Sequence, residues 1–185
     1  MQMPKDTSFS RANFMRLYSA PRPELDWLEE PVWPPDDARG LAAVRRAETP
    51  IAADENTGGE QGFAALFDHG AVDVAQPSVA KVGGISALLR VIALAERHQV
   101  KVVPHCFYYG VGLLGTAHIV AALPDEIQLE VPFIRFTSLL YPQLAFTPRL
   151  TLPDLPGLGF TPDAQVMKNH TVSHVRITSE GSRDV

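Results

Sequence analysis

Cysteine is almost missing from this chain. Cys106 is the only one in 185 residues, so no internal disulfide can form, and the usage suits a reducing compartment. Lysine is scarce as well, limited to Lys5, Lys81, Lys101 and Lys168. With a formal net charge of −5, the chain lacks the basic surface through which nucleic acid is held. Long apolar runs are also absent. The longest, Val111 to Leu123, is interrupted by His118 and falls short of the ~20 residues needed to span a bilayer. Met1 to Ser10 has no apolar signal-peptide core. These absences argue against disulfide scaffolds, nucleic-acid partners and membrane partners, and the expectation is a cytoplasmic protein. A hydrophobic content of 45% with 20% charged residues is ordinary for a soluble domain.

Five polar side chains recur at near-even spacing: Glu29, Glu55, Ser78, His105 and Glu130, separated by 26, 23, 27 and 25 residues. Each follows or closes a short apolar run, and helical patterns fill the gaps. The clearest helix follows Gly83-Gly84, where Ile85, Leu88, Leu89, Ile92 and Ala95 keep the i, i+3, i+4, i+7 rhythm. A strand–helix unit of this length builds parallel sheets with right-handed crossovers, and repeated it builds closed barrels. The fold class expected is α/β, a partial TIM-like (β/α) barrel with about five parallel strands. In such barrels the chemistry gathers at the C-terminal strand ends, where all five residues fall. A complete eight-stranded barrel takes ~250 residues, so this chain cannot close one alone.

Three regions are expected. Residues 1–24 form an irregular or helical leader, with a helix over Ser10–Tyr18. Residues 25–135 carry the strand–helix repeat, its fifth strand at Ile127–Val131. Residues 136–185, interrupted by Pro142, Pro148, Pro153, Pro156 and Pro162, form a loop-rich tail.

The motifs themselves are Trp27-Leu28-Glu29-Glu30-Pro31, Ala53-Asp54-Glu55-Asn56, Ala75-Gln76-Pro77-Ser78 with Lys81-Val82-Gly83-Gly84, Pro104-His105-Cys106-Phe107, Leu129-Glu130, and Pro153-Asp154-Leu155-Pro156-Gly157-Leu158-Gly159. In this order and spacing, over roughly residues 25–165, the chain resembles the enolase superfamily, in its mandelate racemase/muconate lactonizing enzyme branch of acid-sugar dehydratases. Only the C-terminal barrel portion is covered. The resemblance implies a Mg²⁺-dependent lyase or isomerase acting on a hydroxy-acid or acid sugar. The metal holds the substrate carboxylate while a base removes the proton beside it. That proton is hardly acidic until the developing enolate charge is neutralised.

By the same resemblance Glu29 and Glu55 match two of three metal carboxylates. His105 matches the general base, or the acid that expels a β-hydroxyl, and Glu130 matches the carboxyl that hydrogen-bonds the intermediate. The pattern also departs from the family. Ser78 stands where an aspartate orients the histidine, and it brings no charge to raise the imidazole's basicity. The first metal carboxylate belongs near Met3, where Asp6 is the nearest acid. The Lys-x-Lys pair and the lid domain have no counterpart, so the resemblance implies a truncated member, weak or inactive by itself.

Each site residue also has a plainer reading. Glu30 competes with Glu29, and strand alternation lets only one of Asp54 and Glu55 face the barrel mouth. His105 can be a core histidine satisfied by backbone, and Cys106 a packed side chain. Gly83-Gly84 serves tight loop-to-helix packing better than phosphate binding. Trp33, Phe107, Tyr108 and Tyr109 can be rim packing. His69, His98, His118, His170 and His174 fall on or beside helices or in the tail. The alternative for the whole chain is a noncatalytic remnant that completes its open sheet with a second copy, a homo-oligomer.

Overall fold

The computed structural model describes residues 25–185, apart from 46–48, 54, 125–126, 133, 135, 145–148, 179–180 and 185. The expected helix over Ser10–Tyr18, Met3, Asp6 and Asp54 lie outside the described residues. The chain divides into two compact units between Val131 and Pro132.

In the first unit, β1 (Leu28–Glu29), β2 (Ile51–Ala53), β3 (Val74–Ala75) and β4 (Lys101–Val102) form one sheet in the order β1-β2-β3-β4. Every pairing is parallel, with Leu28 opposite Ile51, Ala52 opposite Val74, and Val74 opposite Lys101. Helices connect the strands: α1 (Ala38–Val44), α2 (Gly59–Asp68), then α3 (Val79–Val82) and α4 (Ile85–Arg97), with α5 (Val111–Val120) after β4. The α/β class with parallel strands and helical connections is therefore present. The fifth strand shrinks to a single parallel bridge between His105 and Glu130. Pro104 and Pro132 flank this stretch and can donate no ladder hydrogen bond. The bridge rests on Cys106 N–H to Glu130 O at 3.0 Å and Glu130 N–H to Pro104 O at 3.3 Å.

Local chemistry sets the helix ends. The Asp37 carboxylate accepts from Arg39 N and Gly40 N at 3.2 and 3.0 Å and so caps two N–H groups that α1 leaves free. α2 stops where Gly70 turns left-handed at φ +57. Ala71 N–H then reaches Leu66 O and Gly70 N–H reaches Phe67 O, each at 2.9 Å, the paired closure that favours glycine. α4 closes the same way at Gln99, which takes φ +57 without being glycine.

Alternation along the strands separates two packed faces. Ile51, Ala53, Ala75 and Val102 join Leu41, Phe63, Leu66, Leu88, Val91 and Ala95 in the main core between sheet and helices. Ala52, Val74 and Val103 form a second cluster on the opposite face, with Trp27 against it. The phase of α4 differs from the expected one. Ala87, Leu88, Val91, Ile92, Leu94 and Ala95 are buried, while Ile85 is 43% and Leu89 50% exposed. The helix turns its 88–91–95 stripe to the sheet, so residues a third of a turn away point outward although their spacing also fits.

The second unit holds more regular structure than its prolines suggest. α6 (Ala164–His170) is capped by the Asp163 carboxylate, which accepts from Val166 N at 2.8 Å. β5 (Val175–Thr178) and β6 (Gly181–Asp184) pair antiparallel. Tyr141 and Phe160 pack edge-on at 6.5 Å. These elements begin after Pro162, the last proline of the chain.

Candidate active site

Register places Glu29, Gln76 and His105 at or just beyond the C-terminal ends of β1, β3 and β4, strands of one parallel sheet. His105 is 3% exposed. Its Nδ1 lies 2.5 Å from the Gln76 carbonyl. A carbonyl can only accept, so Nδ1 carries a proton and donates it there, and Nε2 is the nitrogen left for other chemistry. That Nε2 is buried and has no hydrogen-bond partner among the described residues. The ring is thereby held through Nδ1, with Nε2 left without a protein partner among those residues.

Gln76 ties two arms of the site together. Its backbone carbonyl orients His105, and its side-chain Nε2 donates to Glu29 Oε2 at 3.1 Å. The Gln76 Oε1 is, like His105 Nε2, buried without a partner among the described residues. Strand alternation from Val74 could have pointed to Gln76; the motif reading passed over it. Glu30 turns away from this cluster at φ +39, and its carboxylate accepts from Asn56 at 2.7 Å.

Ser78 is buried, but it does not meet the imidazole. Its hydroxyl donates to the Tyr108 hydroxyl at 3.5 Å, while the Tyr108 ring lies 6.2 Å from that of His105. Glu55 is held from the side: the Lys81 ammonium donates to its backbone carbonyl and, at 3.4 Å, to its Oε1.

Glu130 reports on the field of the cluster. Partial burial raises its carboxyl above the ordinary value, the Glu29 and Glu55 carboxylates raise it further, and His105 opposes them. Glu29, His105 and Glu55 thus each lie close enough to act on Glu130. Cys106 is fully buried and its thiol is pushed up to about 11 by that burial, the profile of a packed residue rather than a nucleophile.

His69 is exposed and bonds the Ala65 carbonyl, and His98 pairs with Asp68 at 3.8 Å. Trp33 and Phe107 are exposed. A cavity of about 400 Å³ opens among Trp27, Asp73, Val74, Lys101 and Val103. It sits toward the strand starts and includes none of the four site residues.

Two carboxylates from adjacent units suit a hard divalent ion, which keeps water and accepts substrate oxygens. Among the described residues, however, no group of three or more His, Cys, Asp or Glu side chains could hold a metal. One of the two carboxylates already faces an ammonium. Among the described residues the set in place does not fit a resident Mg²⁺.

A family model described as enolase C-terminal domain-like matches residues 7–166. D-galactarolactone cycloisomerase of Agrobacterium fabrum is 33% identical over 148 residues, covering 73% of this chain and 39% of that protein. The solved 3,6-anhydro-D-galactonate cycloisomerase from Zobellia galactanivorans superposes with a TM-score of 0.71 at 29% identity, covering 80% of this chain and 43% of that one. L-talarate dehydratase from Polaromonas sp. JS666, solved with Mg and L-glucarate, gives 0.62 at 32% identity, covering 78% and 39%. The chain therefore spans about two fifths of the length of the relatives it matches.

Proposed function

Because the chain belongs to the enolase C-terminal domain-like family, we propose that its rim serves proton transfer next to the carboxylate of a hydroxy-acid or acid sugar, with low efficiency in this chain alone. The observation that carries this reading is His105: a buried imidazole, its tautomer fixed by the Gln76 carbonyl, with a free Nε2.

In this reading Nε2 takes the α-proton, and the electron pair left behind spreads into the carboxylate as an enediolate. In a dehydration, the imidazolium returns that proton to the β-hydroxyl, which leaves as water. The resulting enol then becomes a 2-keto-3-deoxy acid. Glu130 hydrogen-bonds the enediolate, and partial burial with the nearby Glu29 carboxylate favours the proton-bearing form it needs to donate. The efficiency is low for two reasons. A carbonyl and not a carboxylate accepts from Nδ1, so the imidazolium formed by proton transfer has no ionised partner on that nitrogen. The developing charge also meets hydrogen bonds rather than a divalent cation, and that electrostatic contribution is usually the largest single one.

Exchange of the α-proton in D₂O, followed by NMR on a panel of acid sugars, tests this directly, since it needs no net turnover. Slow exchange that disappears in His105→Ala is the expected outcome. Equal exchange in the variant, or none above background in the natural chain, refutes it.

One feature favours a second reading, the noncatalytic self-associating one. Among the described residues β1 is an edge of the sheet, with no strand beyond it in the order β1-β2-β3-β4. Such an edge is open to pairing with another copy. Light scattering that gives a concentration-independent monomer counts against that reading.

A further inference from the structure

The carboxylate side of the rim already contains a cation. Lys81 stands in the last turn of α3, which Gly83 ends at once by turning left-handed at φ +102. From there the ammonium meets three groups: the Glu55 carbonyl, the Glu55 carboxylate at 3.4 Å, and the face of the Tyr108 ring at 5.9 Å from its centre. Its side chain is 31% exposed. A carbonyl oxygen, a carboxylate and an aromatic face together make a small cation site. The chain has only four lysines, so this contact is not one of a field of interchangeable surface charges.

We propose that the Lys81 ammonium is the built-in counter-cation of Glu55, so that a divalent ion can settle on this carboxylate only after Lys81 has been displaced. The proposal rests on the reading of Glu55 as a rim carboxylate. It also gives a physical reason for the incomplete ligand set. An ammonium within a few ångströms repels a second cation, and at this partial exposure water reduces that repulsion without removing it. Lys81 neutralises the carboxylate and closes it to Mg²⁺ at the same time.

The test is calorimetric titration of the 185-residue chain with MgCl₂. The natural chain is expected to bind weakly. Lys81→Met keeps the apolar stem and removes the charge, and it is expected to tighten binding at least tenfold. Lys81→Arg keeps the charge and is expected to stay weak. Lys101→Met, on the exposed start of β4, controls for net charge and is expected to change nothing.

Tight binding by the natural chain, or equal affinity in Lys81→Met, overturns the proposal. The double variant Lys81→Met with Glu55→Gln separates the two layers of the argument. If the gain survives loss of Glu55, the ion sits elsewhere and the rim reading of Glu55 fails. If Glu55→Gln alone weakens the residual binding while Lys81→Met gains nothing, that reading stands and only the counter-cation role falls.

A second measurement needs no variant. Reductive methylation of the natural chain, mapped by mass spectrometry, is expected to modify Lys81 faster as MgCl₂ rises, relative to Lys101. A ratio unchanged by Mg²⁺ overturns the proposal even if Lys81→Met does not fold.

Discussion

Asp73 offers the sharpest test of how the strand starts are held. Its carboxylate accepts from Arg45 Nε at 2.8 Å and pairs with the same guanidinium at 2.7 Å through Oδ1. Through Oδ2 it accepts from the backbone N–H of Ile51 at 2.9 Å. Arg45 in turn donates to the Gly70 carbonyl at 2.9 Å. The Asp73 side chain therefore joins the end of α1 to the start of β2, and Arg45 extends the link to the turn after α2. Asp73→Ala removes the Arg45 and Ile51 contacts at once. Ile51 is fully buried, and an N–H left unsatisfied there costs about 1–3 kcal/mol. The ion pair is about a third exposed on each side, so screening reduces its share to roughly 0.2–1 kcal/mol. A total of about 2 kcal/mol follows. At a slope of about 2 kcal/mol/M, urea unfolding should shift its midpoint down by about 1 M. Asp73→Asn keeps an oxygen for Ile51 and loses only the charge, so its shift should be less than half as large. An Asp73→Ala midpoint within about 0.2 M of the natural chain would refute the clamp. Equal losses in the two variants would assign the effect to charge instead of the strand N–H.

Three further outcomes are expected. Leu88→Ala, at a fully buried position of α4, should cost about 2–5 kcal/mol, while Leu89→Ala on the exposed side should cost under about 1 kcal/mol; equal losses in urea melts would contradict the observed helix phase. Cys106, with its thiol pushed up to about 11, should resist iodoacetamide at pH 8 in the folded chain and react fully in urea, so rapid native labelling would count against its burial. Glu130 has a folded pKa raised above its ordinary value of 4.5. Its contribution to stability is therefore complete below that pH and is lost as pH rises through the folded pKa. Glu130→Gln should accordingly gain stability over the natural chain between pH 4 and pH 7, and an unchanged difference across that range would sink the assignment.

How much of this was legible beforehand depends on the range of the interaction. The repeat of apolar runs at 23 to 27 residues encodes the parallel order, because each run is too short and too apolar to be anything but a buried strand between helices. The helix ends at Asp37 and Gly70 follow from side-chain oxygen and glycine chemistry acting within four residues. The rim location of Glu29, Glu55, His105 and Glu130 follows from the same period, since parallel strands deliver their C-terminal ends to one side.

Other features needed contacts between residues far apart in the chain. Which of Glu29 and Glu30 meets Gln76 was decided by a positive φ at Glu30 and by Asn56, 26 positions away. The partner of His105 became a backbone carbonyl, a group every residue carries and no motif can announce. The pairing of Lys81 with Glu55 joins a helix to a neighbouring strand end. The rotation of α4 depended on what the sheet and α2 left to fill. Composition and period determined that the chain is α/β and where its polar groups gather. Only the packed structure settled which of those groups hold one another, because hydrogen bonds between distant segments depend on ångström-scale distances that linear spacing does not encode.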